Sequence, residues 1–182
     1  MSHVFIGGSR NLNRLNPLVS QRLDSIVEKK LTVLIGDANG ADKAVQMYLS
    51  AKAYRNVVVY CVGRCRNNLA GWDVRTVETE KKARGWRYFA QKDLAMARDA
   101  TRGFMLWDGK SKGTVNNLLN LIDFGKTSLV YVRGTPEVAT VRSAEDLRHL
   151  LRNLSPQELQ ESDSKIDLET RLESEKQMPL LR

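Results

Sequence analysis

The sequence predicts an α/β protein: a Rossmann-like, doubly wound, mainly parallel sheet of about five strands within a three-layer sandwich. Three observations predict it. Short apolar or β-branched runs alternate with helix-spaced segments along most of the 182 residues. The continuous run Val57-Val58-Val59-Tyr60-Cys61 suits a strand covered on both faces, as in parallel sheets. Glycine-bearing loops also stand where strands hand over to helices, as βα units require.

The elements follow in order. Val4, Phe5 and Ile6 form a first strand closed by Gly7-Gly8-Ser9-Arg10. Leu15 to Lys30 reads as a helix with Leu15, Val19, Leu23, Ile26 and Val27 inward. Leu31 to Ile35 is the second strand, and Gly40 to Lys52 a second helix burying Ala41, Ala44, Val45, Tyr48 and Leu49. Asn56 to Val62 is the third strand, expected to be central. From Gly63 to Arg87 the pattern weakens into a long loop, with a helix suggested only at Val74 to Ala83. A helix at Ala90 to Arg98, a strand at Gly103 to Trp107, a helix from Thr114 to Phe124, a strand at Ser128 to Val132 and a helix at Ala144 to Leu151 complete the domain, residues 1–153. Residues 154–182 read as a polar tail or helix. Ser155-Pro156-Gln157-Glu158 has the form of a capping box, and apolar spacing continues weakly at Leu159, Ile166, Leu168 and Leu172.

A net charge of +8 draws anions, be they nucleotides, nucleic acid or anionic lipid. Seven acidic and four basic residues from Ser155 to Arg182 give that segment −3 and leave +11 on the body. No run approaches the roughly 20 apolar residues of a membrane span, and the start of the chain has no basic leader, so no membrane partner and a cytoplasmic location are expected. Cys61 and Cys65, with His3 and His149 distant in sequence, match no zinc spacing. Two free thiols, no metal and no cofactor are the expectation.

In an open parallel sheet, ligands bind beyond the carboxyl ends of the strands. Three segments fall there. Gly8-Ser9-Arg10 offers close backbone approach and a bidentate phosphate donor in Arg10. Gly36-Asp37-Ala38-Asn39-Gly40-Ala41-Asp42 has small residues that let helix N–H groups face an anion, while Asp37, Asn39 and Asp42 suit a ribose hydroxyl, an amine or simply a cap. It lacks the GxGxxG spacing of a dinucleotide site. Asp108-Gly109-Lys110-Ser111-Lys112-Gly113-Thr114, directly before a helix, supplies hydroxyls, positive charge and backbone donors to one phosphate, and Asn117 follows as a hydrogen-bonding group. The Walker A spacing is absent, so an ATPase is not expected.

With those motifs and Lys92-Asp93, the chain resembles the SLOG superfamily of Rossmann-like nucleotide-binding domains, named from Smf and Lonely Guy proteins, in its YspA/YpsA-like branch. The resemblance spans most of Val4 to Val132. It implies a nucleotide-like small-molecule ligand and Lys92 at the pocket; a homo-oligomer is expected as well. Lonely Guy enzymes cleave the N-glycosidic bond of nucleoside monophosphates with a Pro-Gly-Gly-x-Gly-Thr-x-x-Glu motif. Gly113-Thr114 aligns with it and puts Asn117 at the glutamate. An amide is no general base. A hydrolase built on this chain would need its carboxylate elsewhere, from Asp42, Asp108 or Asp37. The rival reading, from the basic body and the DprA-type members of the superfamily, is a protein that binds single-stranded nucleic acid; the Arg64 to Arg87 stretch, which mixes arginines with Trp72 and Trp86 and has Tyr88 just beyond, suits that or a lid or oligomer contact in which the tryptophans pack.

Overall fold

Strand residues alternate between two cores, which is why the sheet is covered on both faces. In β1 (His3–Gly8), Val4 and Ile6 pack on one side and Phe5 on the other. In β5 (Arg102–Trp107), Phe104 and Leu106 share the side of Val4, while Met105 and Trp107 share that of Phe5. The computed structural model describes residues 2–79, 84–152, 154 and 166–174. The first face carries α1 (Pro17–Glu28) and α2 (Ala41–Ala51); the second carries α3 (Trp86–Asp99), α4 (Lys112–Asp123) and α5 (Ala144–Leu151). The three-layer sandwich follows from this alternation.

The remaining strands are β2 (Thr32–Gly36), β3 (Val57–Cys61), β4 (Asp73–Thr76), β6 (Ser128–Val132) and β7 (Val138–Val141). Their order is β4-β3-β2-β1-β5-β6-β7, parallel throughout except for the antiparallel β6–β7 pair. The sheet therefore has seven strands rather than five. Both additions are four-residue edge strands without a strong apolar signal: Asp73-Val74-Arg75-Thr76 is wholly exposed, and only Val141 of β7 is buried. Edge strands gain their order from ladder bonds to a neighbour more than from burial. The helix expected at Val74 to Ala83 is corrected accordingly over 74–76, and residues 80–83 lie outside the described ones. β3 is interior but next to the edge, and β1 takes the centre.

β1 and β5 are adjacent, with Gly8 opposite Leu106, yet their chains leave toward opposite halves of the sheet. That divergence is the switch point of a doubly wound fold, and it opens a crevice at the strands' carboxyl ends.

The capping box at Ser155 to Glu158 and Leu159 lie outside the described residues. Beyond them, α6 (Leu168–Ser174) docks on the second face. Ile166, Leu168 and Leu172 are buried, and Arg171 donates to Asn116 Oδ1 at 3.0 Å and Asn120 Oδ1 at 2.9 Å on α4. Among the described residues, no helix is long and apolar enough to cross a membrane.

Candidate ligand pocket at the switch point

A cavity of about 450 Å³ fills the crevice. Its rim comes from Gly8 at the end of β1, from Arg10 and Asn11 after it, and from Asp108 and Lys110 to Gly113 before and within α4; Ala38 and Asp42 contribute from the β2–α2 segment, and α3 contributes Trp86, Phe89, Lys92, Asp93 and Met96. Of the residues expected from sequence, Gly8, Arg10, Asp42, Lys92, Asp108, Lys110, Ser111, Lys112, Gly113 and Asn117 line it. Ser9, Gly36, Asp37, Gly40 and Thr114 are buried and do not line it, nor do the exposed Asn39 and the half-buried Gly109.

The loop between β5 and α4 is held from inside. Asp108 Oδ1 accepts the Ser9 hydroxyl at 2.9 Å and the backbone N–H groups of Lys110 at 3.0 Å and Ser111 at 2.8 Å. Burial pushes the Asp108 carboxyl up, but these donors outweigh it and hold the pKa below the ordinary value. Two of the loop's backbone donors are thus taken by Asp108. The amino end of α4 remains, where N–H groups have no preceding helical carbonyl to reach. Ser111 caps the helix without a side-chain cap bond, and Gly113 in the first turn is exposed. Ser9 is fully buried and ties the segments together: its N–H donates to Leu106 O at 2.8 Å, its carbonyl accepts Ala41 N–H at 3.1 Å, and its hydroxyl lies 3.3 Å from that of Thr114.

The β2–α2 loop is organised by charge. Asp37 is buried and takes three bonds from Arg66: the backbone N–H and Nε at 3.0 Å and an Nη at 2.6 Å. Burial raises its pKa, but the Arg66 bonds and the Lys92 charge leave it lowered overall. Its oxygens are taken up by Arg66, and Asp37 does not line the cavity. Asn39 is exposed, its side-chain carbonyl accepting Asn67 at 3.1 Å. Gly40 adopts φ +83° and lies against Arg10, so that a Cβ there would come within 2.3 Å of Arg10 O.

Asp42 lines the cavity, as do Asp93 and Asp108. It is buried, accepts Ala38 N–H at 3.2 Å, and is pushed up to about 6. Burial is the largest cause; Lys92 opposes it and Asp93 adds to it. Lys92 is equally buried and pairs with Asp93 at 2.7 Å. Burial lowers the Lys92 pKa, but Asp93, Asp42 and Asp37 outweigh it and leave it raised. Gly36 makes the cluster possible: a Cβ there would stand 2.5 Å from Asp42 Oδ2 and 2.7 Å from Lys92 Nζ. Close approach, rather than turn geometry, is what this glycine provides.

Asn117 lies one turn into α4, 6% exposed, and lines the cavity. Among the described residues its Oδ1 is a buried side-chain acceptor without a hydrogen-bond partner. Such an orphan costs about 1–3 kcal/mol unless something donates to it.

Sequence reasoning passed over Arg66, Asn11, Asn116 and Phe89. Arg66 acts on Asp37 from 29 residues away, and nothing in either segment signals the pairing. Its guanidinium also lies 4.6 Å over the Phe89 ring. The two thiols expected of Cys61 and Cys65 are corrected: they form a disulfide, their Cα atoms 5.2 Å apart. The exit loop of β3 turns at Gly63, φ +63°, and returns Cys65 to Cys61, a proximity that the linear spacing does not convey.

No family model matches the chain, and no curated protein is similar to it in sequence. Fold and pocket geometry therefore carry the functional reading.

Proposed function

We propose that the chain binds a nucleotide-derived, phosphate-bearing small molecule in this pocket, as a sensor or as a hydrolase of N-glycosidic bonds in nucleotides. The observation that carries the reading is Asn117 Oδ1, a buried acceptor without a partner on the helix whose amino end opens onto the cavity. Phosphate fits the amino end of α4 beside Arg10, Lys110 and Lys112. A ribose hydroxyl or a base amine suits Asn117 Oδ1 and Asp42, which accept hydrogen bonds. The motif resemblance to the SLOG superfamily supports the same assignment.

For the hydrolase form, Asp42 is the best acid–base candidate of the three carboxylates named from sequence, since Asp37 is held by Arg66. A carboxyl near 6 exchanges protons at neutral pH, whereas Asp108 is ionised and occupied by its own loop. For the nucleic-acid alternative, Arg64, Arg84 and Arg87 of the Arg64 to Arg87 stretch are exposed, but other members of the stretch serve the fold. Trp72 is a core residue that donates to Tyr54 O at 2.8 Å, and Arg66 and Arg75 are paired with Asp37 and Asp99.

A thermal-shift screen against nucleoside mono- and diphosphates tests the reading. At least one compound should raise the melting temperature of the wild type. The shift should shrink in both Lys110→Ala and Asp42→Ala. Release of free base from that compound separates hydrolase from sensor. No shift across the panel would remove the proposal.

A further inference from the structure

The exit loop of β3 carries chemistry that the pocket itself does not use. Cys61 is fully buried at the end of β3, while Cys65, bonded to it, is only half-buried. The next residue is Arg66, whose backbone and side chain hold Asp37. Both sulfurs and an Asp37 carboxylate oxygen lie within 4.8 Å of one another. The same loop leans on the first turns of α3. Arg66 covers Phe89, and a Cβ at Gly63 would stand 2.8 Å from the Tyr88 hydroxyl. Arg66 and Phe89 both line the cavity, so the covalent link is one residue removed from the pocket wall.

We propose that Cys61 and Cys65 are a redox-active pair, reducible by a dithiol, whose oxidation state sets how firmly the Arg66 loop holds the pocket wall. The exchange begins at Cys65, the more accessible sulfur. A thiolate of the dithiol attacks Cys65 Sγ, a mixed disulfide forms, and the Cys61–Cys65 bond breaks, leaving Cys61 as a thiolate that takes a proton. The second thiol of the reductant then attacks its own sulfur of the mixed disulfide. Cys65 leaves as a thiolate and is protonated, and the reductant departs as a cyclic disulfide. Two electrons and two protons pass to the protein. Oxidation by a disulfide of the same class runs the reverse path.

The consequence is mechanical. With the bond intact, residues 61–65 form a closed ring and Arg66 is presented to Asp37 and Phe89 with little freedom. Once the bond is open, the hydrogen bonds of Asp37 and Gln46 must order that loop without it, and its lost conformational entropy weighs against the closed wall. A ligand that needs the wall in place then binds more weakly.

The regulatory half of the inference rests on the pocket reading; the redox half does not, and the experiment separates them. Protein oxidised with a small disulfide and protein reduced with dithiothreitol are compared by alkylation mass spectrometry, amide exchange and nucleotide titration. Expected are no labels on the oxidised chain and two on the reduced one, the number of its cysteines. Exchange at the Arg66 amide should speed up about tenfold on reduction, and affinity for the nucleotide found by thermal shift should fall about three- to tenfold. Cys65→Ser, which keeps one thiol, should match the reduced protein in Arg66 exchange and in nucleotide affinity under both conditions. Two labels before reduction, or equal Arg66 exchange in both states, would overturn the inference. So would uptake of one zinc by the reduced chain with both thiols then shielded from alkylation, since the cluster with Asp37 would be a metal centre. If Arg66 exchange responds to reduction but no nucleotide binds in either state, the redox pair stands and the nucleotide reading falls.

Discussion

The two glycine-bearing loops each bring an aspartate to the pocket and treat it in opposite ways. Asp108 is surrounded by donors from its own loop and from Ser9, stays ionised, and acts as scaffold. Asp42 is more deeply buried, has one backbone donor, shares Lys92 with Asp93, and is pushed up to about 6. A carboxylate supplied with donors becomes part of the frame, and one left short of them remains responsive to protons and ligands. The difference lies in the neighbours, since both residues follow a parallel strand and precede or open a helix.

The largest effect that tests this contrast is the dependence of stability on pH. Asp42 has its pKa raised from 3.8 to about 6, so its favourable contribution is complete below about pH 4 and is lost as pH rises through about 6. Relative to Asp42→Asn, the wild type should therefore lose up to about 3 kcal/mol between those limits, read from urea midpoints. Asp108 has a lowered pKa, so its contribution is present above the ordinary carboxylate range and is lost as pH falls below it. The Asp108→Asn comparison should slope the other way. Two slopes of the same sign would break the contrast.

A smaller effect is expected at Asp37. Asp37→Ala leaves Arg66 without its carboxylate and the β3 exit loop without one of its anchors. Removing one member of a buried ion pair costs several kcal/mol, but the Arg66 side chain is 37% exposed, so about 2 kcal/mol is expected from denaturant unfolding. A loss below about 0.5 kcal/mol, the level of an ordinary surface substitution, would make Asp37 a bystander. The smallest effect is of opposite sign. Asn117→Leu removes a buried acceptor without a partner and should stabilise the free protein by about 1 kcal/mol while abolishing the thermal shift given by nucleotide. Destabilisation with ligand response intact would mean that Asn117 serves the fold.

Much of the architecture was legible because burial leaves a period in the sequence. Val19, Leu23 and Ile26 in α1, and Ala41, Ala44, Val45 and Leu49 in α2, are buried as their helical spacing predicts. β4 and β7 were not legible, since Asp73 to Thr76 hides nothing and only Val141 of β7 is buried. Ile166, Leu168 and Leu172 showed their apolar spacing, but their place against α4 and α5 depends on Arg171 meeting Asn116 and Asn120, a long-range match. The loops of the pocket could be read from glycines and helix starts. The partners could not: Gln46, fully buried, donates to Gly36 O and Asn67 O and accepts Leu69 N–H, closing the β3 exit loop onto α2 without any local signature. Pairings such as Asp37 with Arg66 and Cys61 with Cys65 arise only when the chain turns back on itself.

The most direct test of the central claim is a crystal structure of the protein with the nucleotide that gives the greatest thermal shift. The account predicts a phosphate against the N–H groups of Gly113 and Thr114 at the amino end of α4, and a ligand hydroxyl or amine within hydrogen-bond distance of Asn117 Oδ1. A nucleotide bound elsewhere on the molecule, with Asn117 Oδ1 still lacking a donor, would contradict it.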